Sequence, residues 1–307
     1  MCLIDMIWQL LNVFIDIVTP VFILVFLGYI VGPRLQLEAR TLSRIAYYLF
    51  LPAFIFNIIS RAEIQASLAG EMVLYTASTH LLSAICGYLL ARILRRSPEM
   101  TAAYVMIAIF GNVGNFGLSL IDFRLGPEAE IPATIYFVSI LVVSFVICVG
   151  VASWTHHGGL SAVLSVFKTP ALLALAPALL FYGTDLEVPL FLSRLTGLLG
   201  KAMVPVMLVT LGVQLSEVSH IKITPDMLLS SSVRLLVTPL IAIELGHFFN
   251  LSGIELQAGI LQAGMPVAIL VSIIAIEHKI IPEFVTTTVL FSTVLSILTL
   301  TILLTFV

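Results

Sequence analysis

Two short stretches combine helix breakers with amide side chains inside otherwise apolar sequence: FGNVGNFGL at 110–118 and LQAGMPVAIL at 261–270. Gly111, Gly114 and Gly117 lower the cost of leaving helical geometry, and Pro266 removes a backbone donor and clashes with the preceding turn. Helices that stop and then restart, here near Asn115 and at Pro266, leave unpaired N–H groups at the restart, where the helix dipole adds about half a positive charge. Such an end suits a carboxylate or another small anion without any formal charge. Asn112 and Asn115 can cap the restart of the first stretch or turn toward a ligand. The candidate substrate contacts are therefore Asn112, Gly114, Asn115, Gln262, Met265 and Pro266. The carbonyls that close the first halves, near Ala108 to Gly111 and Ile260 to Ala263, suit a cation or a protonated group.

The chain that must position these residues is an integral membrane protein by composition. Of its 307 residues 60% are hydrophobic and 10% charged, against roughly 25% charged in a soluble domain. A net charge of −3 with no basic run excludes nucleic acid as a partner. Cys2, Cys86 and Cys148 lack metal-ligand spacing and read as buried thiols, so neither a metal site nor a cofactor is expected. The N-terminal run has no Lys or Arg and carries Asp5 and Asp16, unlike a secretory signal, which places it in the first helix.

A bilayer core of about 30 Å takes roughly 20 apolar residues per helix. The sequence divides into ten such segments, near 9–31, 41–60, 69–92, 100–121, 131–153, 166–183, 189–215, 226–249, 255–276 and 284–307. Nine Lys and Arg residues follow segments 1, 3, 5, 7 and 9 (34, 40, 44, 92, 95, 96, 168, 222, 279), against three on the other side (61, 124, 194), which predicts both termini outside. Short matches recur at an offset of 150 to 155: Leu42-Ser43-Arg44 with Leu192-Ser193-Arg194, Pro52 with Pro205, Glu71-Met72 with Asp226-Met227, and Ile131-Pro132 with Ile281-Pro282. These predict two five-helix halves, residues 1–153 and 166–307, joined by a short cytoplasmic connection at 154–165. An odd number of helices per half inverts one half relative to the other. The expected fold is thus an all-α membrane protein whose broken segments 4 and 9 enter from opposite faces and meet.

Other polar residues at membrane depth have two readings each. Arg234 in segment 8 and His80 in segment 3 occupy matching repeat positions, and such a pair can ligate substrate or act as a proton-linked switch. Alternatively Arg234 snorkels to the surface and His80 bonds a carbonyl. Asn57, five residues after Pro52, is a substrate contact or an interhelical bond. Lys201 pairs a carboxylate or a substrate. Asp16 and Glu244 lie near the outer helix ends, and Ser119 and Ser272 line the second half-helices or bond back to their own turn.

The motifs GNVGNFGL, QAGMPVAI, LFLPAFIF around Pro52 and VPVMLVTLGVQL around Pro205 resemble the auxin efflux carrier family, over essentially the whole chain. The resemblance implies the bile-acid-symporter or PIN-like fold, with a scaffold of segments 1, 2, 6 and 7. It also implies a transport unit of segments 3–5 and 8–10, elevator-type movement, and a homodimer. Asn112 or Asn115 would be the family's crossover asparagine and Pro266 its crossover proline. Ser119 stands where family members often carry a proline, so segment 4 breaks by its glycines alone. The short midpoint favours a bacterial inner-membrane carrier. The function implied is secondary transport of a small organic anion, a mono- or dicarboxylate or an auxin-like acid. The alternatives are a sodium-coupled bile-acid-symporter-like carrier and a non-transporting anion receptor. No HExxH, GxGD or Ser-His motif supports an enzyme.

Overall fold

The computed structural model describes residues 8, 14–15, 19–62, 65–156, 170–184, 186–217 and 223–307. Asp16, Lys168, Lys222 and residues 157–165 of the midpoint connection lie outside the described residues. Twelve helices follow in chain order. They are α1 (Thr19–Arg34), α2 (Ala39–Ile59), α3 (Ala66–Ile93), α4 (Pro98–Ile109), α5 (Leu118–Leu125), α6 (Glu130–His156), α7 (Pro170–Tyr182), α8 (Leu190–Ser216), α9 (Pro225–Phe248), α10 (Gly253–Ala263), α11 (Ile269–Glu277) and α12 (Pro282–Phe306). The fold is all-helical among the described residues, and six helices are long and apolar enough to cross a membrane. Large apolar side chains such as Phe26, Leu74, Leu89, Leu240 and Leu298 face outward, as lipid-facing positions do.

Local chemistry explains where the helices begin and bend. α4 and α9 start alike, on Ser97-Pro98-Glu99 and Thr224-Pro225-Asp226. The Ser97 hydroxyl accepts from the Met100 N–H at 3.2 Å and that of Thr224 from the Met227 N–H at 3.3 Å, with proline at the first helical position and an acid in the first turn. α2 and α9 each contain a π-helical turn, Ala46–Phe50 and Val233–Val237. Pro52 and Pro239 lie just downstream and supply no N–H to the carbonyls four residues back, Tyr48 and Leu235, which lie inside those turns. The wider turn accommodates the missing bond.

The helices pack in two groups. α1, α2, α7 and α8 lie against one another, while α3–α6 pack with α9–α12. In the first group glycines let backbones touch: a Cβ on Gly28 would strike the Val209 carbonyl and one on Gly212 the Val25 carbonyl, which joins α1 to α8 closely. Gly200 does the same for α8 on α2, where a Cβ would sit 3.1 Å from Phe54 Cα. In the second group a Cβ on Gly87 of α3 would approach the Tyr104 carbonyl of α4 to 2.8 Å. Arg96 bonds Asp226 at 2.9 Å and the Tyr104 hydroxyl donates to the same carboxylate at 2.7 Å, tying the starts of α4 and α9 together. The groups meet where α8 faces residues Val113–Gly117, where α2 touches α6, and where Phe22 of α1 meets Phe116 edge to face at 5.3 Å.

Gly212→Val drives a branched side chain into the α1 backbone, and overpacking of this kind costs about 1–3 kcal/mol. The detergent-solubilised variant is expected to melt well below the parent in a thermal-unfolding scan, and an unchanged midpoint would refute the close α1–α8 contact.

Candidate functional site

The two breaker stretches are brought together. α4 ends at Ile109; Phe110 is extended (φ −106°, ψ 96°), and helical geometry resumes in a π-helical turn at Val113–Gly117 that leads into α5. α10 ends at Ala263, and α11 begins at Ile269, three residues later than a restart at Pro266 would place it. Between these ends the two chains run antiparallel. Asn112 N–H donates to the Pro266 carbonyl at 2.7 Å, Ala268 N–H donates to the Phe110 carbonyl at 2.8 Å, and Gly111 sits opposite Val267. Val267 N–H finds the Ser292 hydroxyl of α12 at 3.1 Å. Non-helical backbone at membrane depth survives only where its polar groups are satisfied by protein or water, and here each break supplies the other's partners.

The closing carbonyls of α4 and α10 converge on one side chain. Arg234, on the π-helical turn of α9, is fully buried. Its Nε donates to the Met265 carbonyl at 2.8 Å, Nη1 to the Ala108 carbonyl at 3.2 Å, and Nη2 to the carbonyls of Ala263 at 2.9 Å and Gln262 at 3.4 Å. Nη1 also faces His80 Nδ1 at 3.4 Å. Five N–H groups thus meet five protein acceptors. A guanidinium only donates, so His80 must accept at Nδ1 and carry its proton on Nε2, which donates to the Tyr136 hydroxyl at 2.9 Å. The carbonyls expected to suit a cation hold an internal one. Gly111 makes room for it, because a Cβ there would run into the guanidinium.

Hydroxyls finish the closure. Ser83 donates to the Ala108 carbonyl at 2.9 Å and Ser144 to that of Ile109 at 3.1 Å, while Thr238 sits 2.5 Å from Ser83. None of these four residues, Ser292 included, stands out in the sequence. Small hydroxyl residues are common on membrane helices, and only their place beside a break gives them a role.

The restart side is furnished differently. Asn112 is 4% exposed, its carbonyl accepts from Phe116 and Gly117 N–H at 3.2 Å, and its side-chain Nδ2 is buried with no partner. Asn115 lies within the Val113–Gly117 turn, and its side chain is outside the described residues. Gly114 lies against the Phe137 ring, where a Cβ would come within 2.7 Å of Cε2, and Met265 Cγ lies 3.2 Å from a Cβ built on Gly117. Gln262 Nε2 donates to the Ala133 carbonyl of α6 at 2.8 Å, leaving its buried Oε1 without a partner, as is the buried Thr134 hydroxyl. Ala133, Thr134 and Phe137 lie three and four residues apart on one face of α6, so Gly114 and Gln262 meet the same stripe.

The remaining candidates lie elsewhere or are already engaged. Asn57 faces α8, its buried Oδ1 unpartnered and 3.5 Å from a Cβ built on Gly197. Lys201 and Glu244 are exposed on α8 and α9, and the Ser272 hydroxyl bonds back to the Ile269 carbonyl at 2.7 Å. Cys86 and Cys148 are free thiols, and Cys2 is outside the described residues. An apolar groove lined by Phe14, Phe291, Val294 and Leu298 runs along α12 and contains none of the crossover residues.

A helical membrane protein with paired, satisfied breaks at its centre belongs among the solute transporters in architecture. Sequence comparison agrees: the profile of the membrane transport protein family matches residues 13–159 and 155–304. The chain belongs to that family, the auxin efflux carriers, and is a multi-pass membrane transporter. It is 26% identical over 291 residues to an "Uncharacterized transporter" of Methanothermobacter thermautotrophicus, covering 93% of this chain and 95% of the relative. It is 25% identical over 299 residues to a Rhizobium meliloti protein named "Putative malonate transporter", covering 93% of each. An "Uncharacterized transporter" of Methanocaldococcus jannaschii is 24% identical over 295 residues, 92% of this chain and 95% of that one.

Arg234→Leu strips the Ala263 and Met265 carbonyls of their donor and is expected to cost about 3 kcal/mol or more. Arg234→Lys keeps the charge but loses the fork and should fall between. Gly111→Ala, which crowds the same guanidinium, should destabilise in the same direction. Melting midpoints in detergent check the series, and equal midpoints for all three would show that Arg234 does not hold the breaks.

Proposed function

We propose that the protein is a secondary carrier of a small organic anion, a mono- or dicarboxylate, working by elevator-type alternating access. The observation that carries this reading is the antiparallel meeting of residues 110–112 with 266–268. It sets each helix start beside the closing end of the other broken helix, Val113 next to Met265 and Ile269 next to Ile109, with the unpartnered Asn112 amide at the first. The breaks have their closing ends occupied by Arg234, so the starts are what remain for a ligand. Asn112 and Asn115 contact the anion directly, Gly114 and Pro266 keep the backbone close, and Gln262 and Met265 complete the walls.

In this reading the ten segments span the membrane as two inverted halves, 1–153 and 166–307, with both termini outside a bacterial inner membrane. The group α1, α2, α7 and α8 is the scaffold and the group α3–α6 with α9–α12 is the moving unit. The separate packing of the two groups supports that division. Asn57 lies on the scaffold, and the carrier assembles as a homodimer. The name of the Rhizobium relative makes malonate the first probe.

The test is counterflow of labelled malonate and simple monocarboxylates into proteoliposomes. Wild-type protein should exchange labelled for unlabelled anion with saturation; binding without exchange would mean a receptor. Asn112→Leu and Asn115→Leu should each abolish exchange while the protein still melts in one cooperative transition. Unchanged half-saturation in both would remove the proposed site.

A further inference from the structure

The formal charge of the buried crossover can be counted. Arg234 is the one buried Lys or Arg among the described residues, and no acidic residue with a described side chain is buried. Arg96 pairs with Asp226 away from the crossover, at the start of α9, with side-chain exposures of 38% and 18%. His80 is neutral, because its Nδ1 accepts from the guanidinium. The four half-helix ends at the crossover cancel, two closing ends of about −0.5 each against two starting ends of about +0.5 each. What remains is Arg234's full positive charge.

We infer that the empty crossover carries one uncompensated positive charge, fixed by Arg234, and that it therefore takes a monoanion, which leaves the loaded core neutral. This rests on the carrier reading above. The Asn112 Nδ2, buried and unpartnered beside the Val113 start, provides a donor for the anion's oxygen. The unpartnered Gln262 Oε1 and Thr134 hydroxyl fit a second, uncharged polar group, such as a protonated or amidated arm. A dianion would bring a second charge into a core with nothing to oppose it, at the full cost of its desolvation. Two consequences follow for movement. The loaded unit crosses without carrying net charge, and the empty unit returns carrying one positive charge, a step on which the membrane potential acts directly.

The experiment uses wild-type protein in proteoliposomes with a potassium-valinomycin potential, and labelled malonate and its monoamide, malonamate, at neutral pH. Malonamate, a monoanion of nearly the same shape, should half-saturate at a concentration about tenfold or more below malonate. Counterflow of malonamate should be indifferent to the potential because only the neutral loaded unit cycles. Net uptake, which needs the empty return, should change several-fold and in opposite senses for the two signs of potential. Arg234→Gln should abolish that voltage response if the protein folds, and Arg234→Lys should retain it. Preference for malonate, malonamate counterflow that follows the potential, or net uptake that ignores it would each overturn the inference. Absence of counterflow with both probes would instead count against the carrier reading for this class of acid.

Discussion

Two helices that stop head to head in the middle of a membrane bring their electronegative ends together in a medium that screens them little. Each end also carries carbonyls with no helical donor. Those two problems have one answer in this protein: a guanidinium, buried between α4 and α10, whose five donors reach carbonyls of both helices and one histidine. The remaining features of the crossover are arranged around it. Gly111 leaves it space, the π-helical turn of α9 delivers it, and Ser83 and Ser144 take the carbonyl sites near it.

That arrangement divides the crossover into two chemically different sides. On the closing side the carbonyls of Ala108, Ile109, Gln262, Ala263 and Met265 have side-chain donors, so their backbone is held as structure. Around them Asn112 Nδ2 at the Val113 start, Gln262 Oε1 in the last turn of α10 and the Thr134 hydroxyl of α6 are buried and unpartnered. Buried polar groups without partners are uncommon, and a ligand or water supplies the ordinary explanation. A transporter needs a site that is rigid in construction and unsatisfied in chemistry, and here one fixed cation makes the first compatible with the second. Glycine contacts join α1 closely to α8, and the other eight helices pack chiefly among themselves around the crossover.

Much of this was legible in the sequence because breakers have local causes. Pro266 and the glycines of 110–118 mark interruptions through backbone sterics alone, and both interruptions are present. The offset between His80 and Arg234 pairs two residues that touch. Less was legible where a partner is backbone. Arg234 read as either a substrate ligand or a snorkelling surface residue, since sequence carries no signal for carbonyls freed by a distant break. The restart of α11 at Ile269 rather than Pro266 has a similar origin: Pro266 is held extended by Asn112, a tertiary bond that propensity does not encode. The π-helical turns escaped notice for the opposite reason. Pro52 and Pro239 signal a bend but not which helical register absorbs it.

The most direct measurement is residue-resolved hydrogen exchange of the protein in lipid nanodiscs, comparing wild type with Arg234→Lys at the amides of Asn112 and Ala268. Both amides sit outside any helix yet should exchange slowly in the wild type, and both should quicken together in the variant while amides in α1 and α8 do not change. Fast exchange at either amide in the wild type, or a variant that loosens one break and leaves the other untouched, would contradict a crossover held by a single shared cation.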